Sequence, residues 1–181
     1  MTTPQASHVH GRLVLSHGRL TLREQLPEEA AQLADGKPAG LVWIDGGPGE
    51  GTIIAAGMST IAAAAGVYTP GWGLFVIQRS DVGLALGGIG FHGPPSAADG
   101  LVEIGYDLSE SARGAGWATD AVLVLSRWAL SRTGVNAVVA TTDPGNRASQ
   151  RVLERAGFGR VADRDAHWAY ELRPAGRGAT A

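Results

Sequence analysis

The clearest hydrophobic pattern in the chain is helical and lies in segment 117–131. Its apolar residues recur three and four positions apart and form one stripe, which predicts an amphipathic helix. The segments 27–34, 52–65 and 144–156 predict three further helices. Gly157 directly follows the last of these and is typical of the residue that ends a helix in a left-handed conformation.

Strands are predicted where apolar residues alternate with polar ones or form a short run: 19–24, 71–79, 84–92, 101–108, 136–142, 158–162 and 167–173. The strand 101–108, the helix 117–131 and the strand 136–142 make a βαβ unit, whose two strands we expect to be parallel neighbours. The order of the elements predicts an α/β (α+β) fold, in which a mixed sheet carries helices on its faces.

Composition narrows the classes of protein. The chain has 181 residues, and we expect one domain, 1–181, with loose tails at 1–10 and 174–181. The absence of cysteine excludes disulfides and thiolate metal ligands. A formal net charge of −2 argues against a nucleic-acid partner. No run reaches the ~18 apolar residues of a membrane span, so we expect no membrane partner and a cytoplasmic location.

The segment from Arg113 to Ala118 lies between a predicted strand and a predicted helix and contains Gly114 and Gly116. Backbone N–H groups at a helix N-terminus lack partners inside the helix, and the helix dipole adds partial positive charge there. Such a turn favours a pyrophosphate, which can approach the glycine backbone closely. An ordinary glycine-rich turn before a helix explains the same six residues equally well.

The neighbouring motifs resemble the GCN5-related N-acetyltransferase (GNAT) superfamily. Arg113, Gly116 and Ala118 match the phosphate loop of that family. Four further segments resemble its ribosomal-protein-acetylating, RimJ/RimL-like branch: 103–106, 117–121, 146–149 and 151–158. The resemblance implies a GNAT fold, with a mostly antiparallel twisted sheet of six to seven strands, about four helices and a central parallel strand pair that splays apart.

The resemblance also implies a binding site for acetyl-CoA, the acyl donor. Backbone amides of the phosphate loop would hold the pyrophosphate: Arg113, Gly114, Ala115, Gly116, Trp117 and Ala118. The edge of the preceding strand would bind the pantetheine arm through Ile104, Tyr106 and Leu108. Asn146 would bond the arm from the other side of the gap.

Transfer by direct attack of an amine on the thioester needs a base, because an alkylammonium with a pKa of ~10.4 is mostly charged at neutral pH. Glu103 is the first candidate, acting directly or through water, and Asp107 on the same strand face is the second. An exposed surface acid explains Glu103 equally well. The developing oxyanion needs an N–H donor, which we expect near Leu108 or Ser109.

The thiolate that leaves needs a proton. Many GNAT enzymes carry a tyrosine seven residues after the position of Asn146, but this chain has Leu153 there. The RimJ/RimL-like pattern offers Ser149 instead. A serine near a helix start also bonds its own helix backbone, and a bound water is the remaining alternative.

We therefore expect an N-acetyltransferase whose partners are an acyl-CoA and an amine acceptor, either a protein N-terminus or a small molecule. The alternative is a non-catalytic acyl-CoA sensor or interaction module. We expect no metal, since His8, His10 and His17 lack a suitably spaced further ligand. A homodimer is compatible with the family. In this family the segment that contains Trp43, Asp45 and Glu50 lies near the acceptor pocket. These residues either contact the acceptor amine or belong to a solvated loop.

Overall fold

The computed structural model describes residues 4–174, which form one mixed sheet with helices on both faces. The helices are α1 (Pro27–Ala34), α2 (Glu50–Ala64), α3 (Trp117–Leu130) and α4 (Arg147–Arg155). The strands are β1 (Gln5–Val9), β2 (Arg12–His17), β3 (Leu20–Glu24), β4 (Leu74–Arg79), β5 (Ala85–Phe91), β6 (Leu101–Leu108), β7 (Ala137–Thr142), β8 (Gly159–Arg160) and β9 (Trp168–Leu172). They are ordered β1-β2-β3-β4-β5-β6-β7-β9-β8.

Only one neighbouring pair among these strands is parallel, and it lies at the centre of the sheet. β6 and β7 pair from Leu101 with Ala137 to Glu103 with Val139, and beyond Glu103 the two strands part. The remaining pairs are antiparallel. The predicted mixed sheet with a splayed parallel pair is therefore confirmed.

The two faces of the sheet bury separate clusters. On one face, α3 buries Val122 and Leu125 against strand residues such as Val102 and Ile104, as its apolar stripe predicted. On the other face, α1 and α2 cover β4 and enclose a smaller cluster of Leu33, Ala39, Trp43, Ala56, Leu74, Val76 and Ala85. The side chains of successive residues of β6 point to opposite faces of the sheet, so neighbouring side chains on this strand serve different faces.

The N-terminal region differs from its prediction as a loose tail. Two strands, β1 and β2, precede the first predicted strand and pair with each other, so the described sheet has nine strands rather than six or seven. The side chains of β1 are all exposed, which leaves no apolar alternation by which the sequence could announce this strand. At the other end, β8 is shorter than predicted, and 175–181 lie outside the described residues.

Within residues 4–174, no helix is both long and apolar enough to cross a membrane. The same residues bring together no group of three potential metal-binding side chains. His8 is on β1, and His10 lies in the tight turn that leads to β2, with a φ of 49°.

Candidate active site

The edge of β6 that faces the gap carries backbone groups that β5 does not use. Two bonds fix the alternation: the Ser109 N–H donates to the Leu86 carbonyl at 2.8 Å, and the His92 N–H to the Glu103 carbonyl at 3.0 Å. In an antiparallel pair, residues alternate along the strand: one bonds the partner strand through its N–H and C=O, and the next points both groups away from it. Those residues are Ile104, Tyr106 and Leu108.

The family resemblance assigns the same three residues to an open strand edge, and of these Tyr106 and Leu108 lie clear of the last β6–β7 pair, Glu103 with Val139. The same alternation corrects the proposed oxyanion donor, because the N–H of Ser109 is already bonded to Leu86. The N–H of Leu108 points toward the gap, while its carbonyl accepts a bond from Nε of Arg113 at 3.1 Å.

The loop after β6 exposes its backbone at the start of α3. Gly114 and Gly116 have φ values of 78° and 83°, in the left-handed region that glycine adopts without a Cβ clash. No side chain caps the N-terminus of α3. Ala118 is buried behind the loop, so its small side chain packs inward while the first amides of the helix face out.

Arg19, which lies just before β3, holds this loop in place. Its Nη2 donates to the Ala115 carbonyl at 2.7 Å, and its Nε donates to the Asp120 carboxylate at 2.9 Å. The guanidinium carbon lies 3.9 Å from the centroid of the Trp117 ring. One side chain therefore ties the loop, the first turn of α3 and its aromatic residue together.

Glu103 lies where β6 and β7 part, and it has two side-chain partners. Its Oε1 accepts a bond from the Thr141 hydroxyl at 3.1 Å, and its Oε2 lies 3.7 Å from Nδ1 of His92. Interaction with His92 lowers the pKa of Glu103, and burial opposes this only in part. The carboxylate in turn raises the pKa of His92 above its ordinary value.

Asp107, the second candidate base, is engaged elsewhere. A Cβ added at Gly49 or Gly51 would lie 2.8 Å or 2.7 Å from Asp107 atoms, so this side chain packs against the N-terminus of α2. Its Oδ1 also lies 3.8 Å from Nη2 of Arg113. This position places the Asp107 carboxylate beside the positive end of the α2 dipole, which stabilises the helix start.

The α4 side of the gap carries the remaining polar groups. The Tyr106 hydroxyl lies 2.8 Å from the Ser149 hydroxyl, and burial raises the pKa of Tyr106 to about 12. The side-chain oxygen Oδ1 of Asn146 accepts the Ser149 N–H at 3.1 Å and caps α4. The Asn146 amide nitrogen has no hydrogen-bond partner within the described residues. Leu153 is fully buried and does not reach the gap.

Two cavities meet at strand β6. One, of about 360 Å³, lies in the gap between β6 and β7 and is bordered by Thr141, Asn146 and Ser149. The other, of about 250 Å³, lies between α2 and the sheet. Three residues border both: His92, Gly105 and Tyr106. A Cβ at residue 105 would lie 3.1 Å from Nε2 of His92, so the imidazole covers this glycine at the junction.

The sequence did not identify several of these contacts. Arg19 lies 101 residues from Asp120, and Thr141 lies 38 residues from Glu103, so no local pattern relates them. Acceptor contacts were one interpretation of Trp43, Asp45 and Glu50. Trp43 is instead buried with its indole N–H bonded to the Pro38 carbonyl, and Asp45 accepts the Ser111 N–H at 3.1 Å.

Comparison with known protein families identifies the family of this chain. A model described as an acetyltransferase (GNAT) domain matches residues 19–159. The chain belongs to the GNAT acetyltransferase family. Among curated members, it is 35% identical over 104 residues to an uncharacterised N-acetyltransferase of Bacillus subtilis (strain 168), YjdG. That match covers 56% of the chain and about three fifths (61%) of YjdG.

Solved GNAT structures share the fold over most of their length. An acetyltransferase from Agrobacterium tumefaciens is 26% identical, with a TM-score of 0.61 over 89% of this chain and 94% of that one. RimL, a ribosomal L7/L12 α-N-protein acetyltransferase solved with coenzyme A, is 19% identical, with a TM-score of 0.59 over 87% and 95%. At 19% identity the likeness concerns the fold alone.

Proposed function

We propose that this chain is an N-acetyltransferase that transfers the acetyl group of acetyl-CoA to a primary amine. One observation carries the proposal: the gap along the free edge of β6 meets a separate cavity at His92, beside Glu103. An acyl donor and an acceptor entering from opposite faces of the sheet would meet at this point. Such an arrangement brings the reacting groups together without a covalent enzyme intermediate.

The residues at the gap fit acetyl-CoA by three independent features. The uncapped N-terminus of α3 and the two left-handed glycines present amides to a pyrophosphate. The free edge of β6 offers alternating N–H and C=O groups to the amides of a pantetheine arm. The Asn146 amide nitrogen supplies a donor from α4.

The acceptor ammonium must lose a proton before its nitrogen attacks the thioester carbon. We assign this proton to the pair formed by Glu103 and His92. Nε2 of His92 lies at the junction of the cavities, and the nearby carboxylate raises the imidazole pKa above its ordinary value, which makes the imidazole a stronger general base. Glu103 stabilises the imidazolium that forms. The Leu108 N–H donates a hydrogen bond to the oxyanion that develops on the thioester oxygen.

As the nitrogen–carbon bond forms, the carbon–sulfur bond breaks and the sulfur takes a proton. The Ser149 hydroxyl, hydrogen-bonded to Tyr106, is the nearest donor pair on the α4 side of the gap. These two hydroxyls replace the tyrosine that Leu153 cannot supply. The acceptor is either a peptide N-terminus, as the name of RimL suggests for that protein, or a small-molecule amine.

The proposal is tested by release of free thiol from acetyl-CoA over a panel of peptides and small amines. We expect release with at least one amine. For that amine, Glu103→Gln and His92→Ala should each lower kcat at pH 7 by ~10²-fold, the usual effect of losing a general base. Acetyl-CoA affinity, measured by calorimetry, should change less than ~3-fold.

Two control variants make the test specific. Glu28→Gln alters an exposed acid of α1 and should leave kcat unchanged. Asp107→Asn alters the second candidate base, and a larger loss there than in Glu103→Gln would transfer the role to Asp107. Acetyl-CoA binding without thiol release from any amine would favour the sensor alternative.

A further inference from the structure

The cavity between α2 and the sheet has a floor of bare backbone. Gly88 and Gly90 of β5 lie on the same face as Gly105 of β6, because Gly90 pairs with Gly105 and Gly88 with Asp107. A Cβ at Gly88 would lie 2.8 Å from Oγ1 of Thr52, and one at Gly90 would lie 2.6 Å from the Gly73 carbonyl. All three glycines border the cavity, and a side chain at Gly88 or Gly90 would collide with Thr52 or with the backbone of Gly73.

The walls of the cavity are mostly apolar. α2 contributes Ile54, Ala55, Met58 and Ala62, and the loop after it contributes Val67 and Trp72. Ile54, Met58 and Val67 are exposed to 59%, 49% and 64%. Large apolar side chains in water at the mouth of a cavity indicate a site for an apolar group.

The lining also restricts the charge of an acceptor. None of the residues that border this cavity is a lysine or an arginine, and the imidazole of His92 is assigned to the amine proton and paired with Glu103, so no permanent positive charge there balances a carboxylate on the acceptor. Asp107 is the single acidic residue on the border, and it is already placed beside Arg113 and α2. A polyamine or an aminoglycoside would bury additional ammonium groups without acidic partners, which is unfavourable.

A buried hydroxyl adds a specific polar feature. Thr52 borders the cavity and is 1% exposed, and its Oγ1 has no hydrogen-bond partner within the described residues. A buried polar group without a partner is unfavourable. An uncharged polar atom on a bound acceptor would satisfy it. The volume of about 250 Å³ exceeds the roughly 150 Å³ cavity that holds benzene in an engineered protein.

We propose that the acceptor is a monoamine bearing an uncharged apolar group of about the size of an aromatic ring. This assignment rests on the transferase activity proposed above. The apolar group lies between α2 and the glycine floor, and the amine points to His92 at the junction. The nitrogen gains the acetyl carbon, its proton passes to the His92–Glu103 pair, and the thiol leaves.

The test compares four amines in the thiol-release assay, at equal concentrations of free base. Two of them, 2-phenylethylamine and phenylalaninamide, carry an uncharged apolar ring. Phenylalanine adds a carboxylate, and spermidine adds further ammonium groups. We expect kcat/KM for the first two to exceed that for the last two by at least ~10-fold. Phenylalanine and phenylalaninamide form the matched pair for charge.

Two variants on α2 locate the site. Met58→Glu places a charge at the mouth of the cavity and should raise KM for 2-phenylethylamine by about 10-fold. Ile61→Glu makes the same change three residues later, at a position 70% exposed that does not border the cavity, and should leave KM within ~2-fold. Both positions are exposed, so folding is preserved, and acetyl-CoA affinity should be equal in the two variants.

The outcomes separate this assignment from the activity itself. Faster turnover of spermidine or phenylalanine would refute the apolar acceptor and leave the transferase proposal standing. Equal KM shifts in the two α2 variants would place the acceptor outside this cavity. Thiol release from none of the amines tested here or in the wider panel would refute both.

Discussion

Glu24 offers a quantitative test of how the acceptor cavity is held together. This glutamate is 1% exposed at the end of β3, and its carboxylate accepts three hydrogen bonds. The Leu13 N–H donates to Oε2 at 2.7 Å, the Tyr68 hydroxyl donates to Oε1 at 2.9 Å, and the Gly71 N–H donates to Oε1. The carboxylate thereby fixes the loop that leads from α2 to β4 along the cavity.

The substitution Glu24→Gln keeps the shape but replaces one oxygen by an NH₂ group. Oε1 can still accept from Tyr68 and Gly71, whereas the Leu13 N–H then faces another donor. A buried N–H without a partner costs about 1–3 kcal/mol, and each weakened bond costs about 1 kcal/mol more. The neutral amide is easier to bury than a carboxylate, which brings the expected net loss to about 3 kcal/mol.

For a chain of this length, about 3 kcal/mol corresponds to a fall in Tm of about 6–12 °C. Thermal unfolding followed by circular dichroism measures it, with Glu28→Gln on the exposed side of α1 as the control, for which we expect about 2 °C or less. We also expect a higher KM for the amine and an unchanged affinity for acetyl-CoA. A fall in Tm below about 2 °C for Glu24→Gln would refute the account of Glu24.

Three further predictions concern the gap. Arg19→Ala should weaken acetyl-CoA binding by about 10-fold in calorimetry, and Arg19→Lys should not restore it, because lysine lacks the planar fork that reaches both partners; a lysine variant that binds normally would contradict this. Tyr106→Phe and Ser149→Ala should each lower kcat about 10-fold. If the two hydroxyls act as one unit, the double variant should lose no more than either single variant, so additive losses would count against the pair. Because Glu103 raises the pKa of His92, the acid limb of kcat/KM should lie above pH 6.5 and move to lower pH in Glu103→Gln; a limb that stays in place would exclude His92 as the titrating group.

The sequence predicted the elements whose residues repeat regularly. The apolar stripe of α3 and the alternation of β6 gave bounds within one residue of those observed. β1 was missed because all five of its side chains are exposed and its only partner is the next strand, which leaves no buried face to pattern. β2 is the exception to the rule, because it was not predicted although Leu13 and Leu15 alternate with less buried residues. Helix α2 begins two residues before its predicted start, at Glu50, and the Asp107 carboxylate, which is distant in sequence, packs against this first turn.

The site was predictable where a motif is continuous and not where the fold brings distant residues together. The loop 113–118 and the β6 edge follow from local sequence. The partners of Glu103 lie just after β5 and on β7, and nothing near His92 or Thr141 in sequence indicates that they meet this glutamate. Ser149 could be named from its motif, but its bond to Tyr106 depends on how far β6 and β7 separate.

The alternation along β6 has a consequence for the protein at rest. Amide protons of Gly105 and Asp107 are held by β5, whereas those of Tyr106 and Leu108, beyond the last residue of β6 that pairs with β7, face the gap. In the free protein, neighbouring residues of one strand should therefore exchange with deuterium at alternating rates, fast and slow. Occupancy of the gap should slow the fast set alone, so a single strand reports whether the donor site is filled.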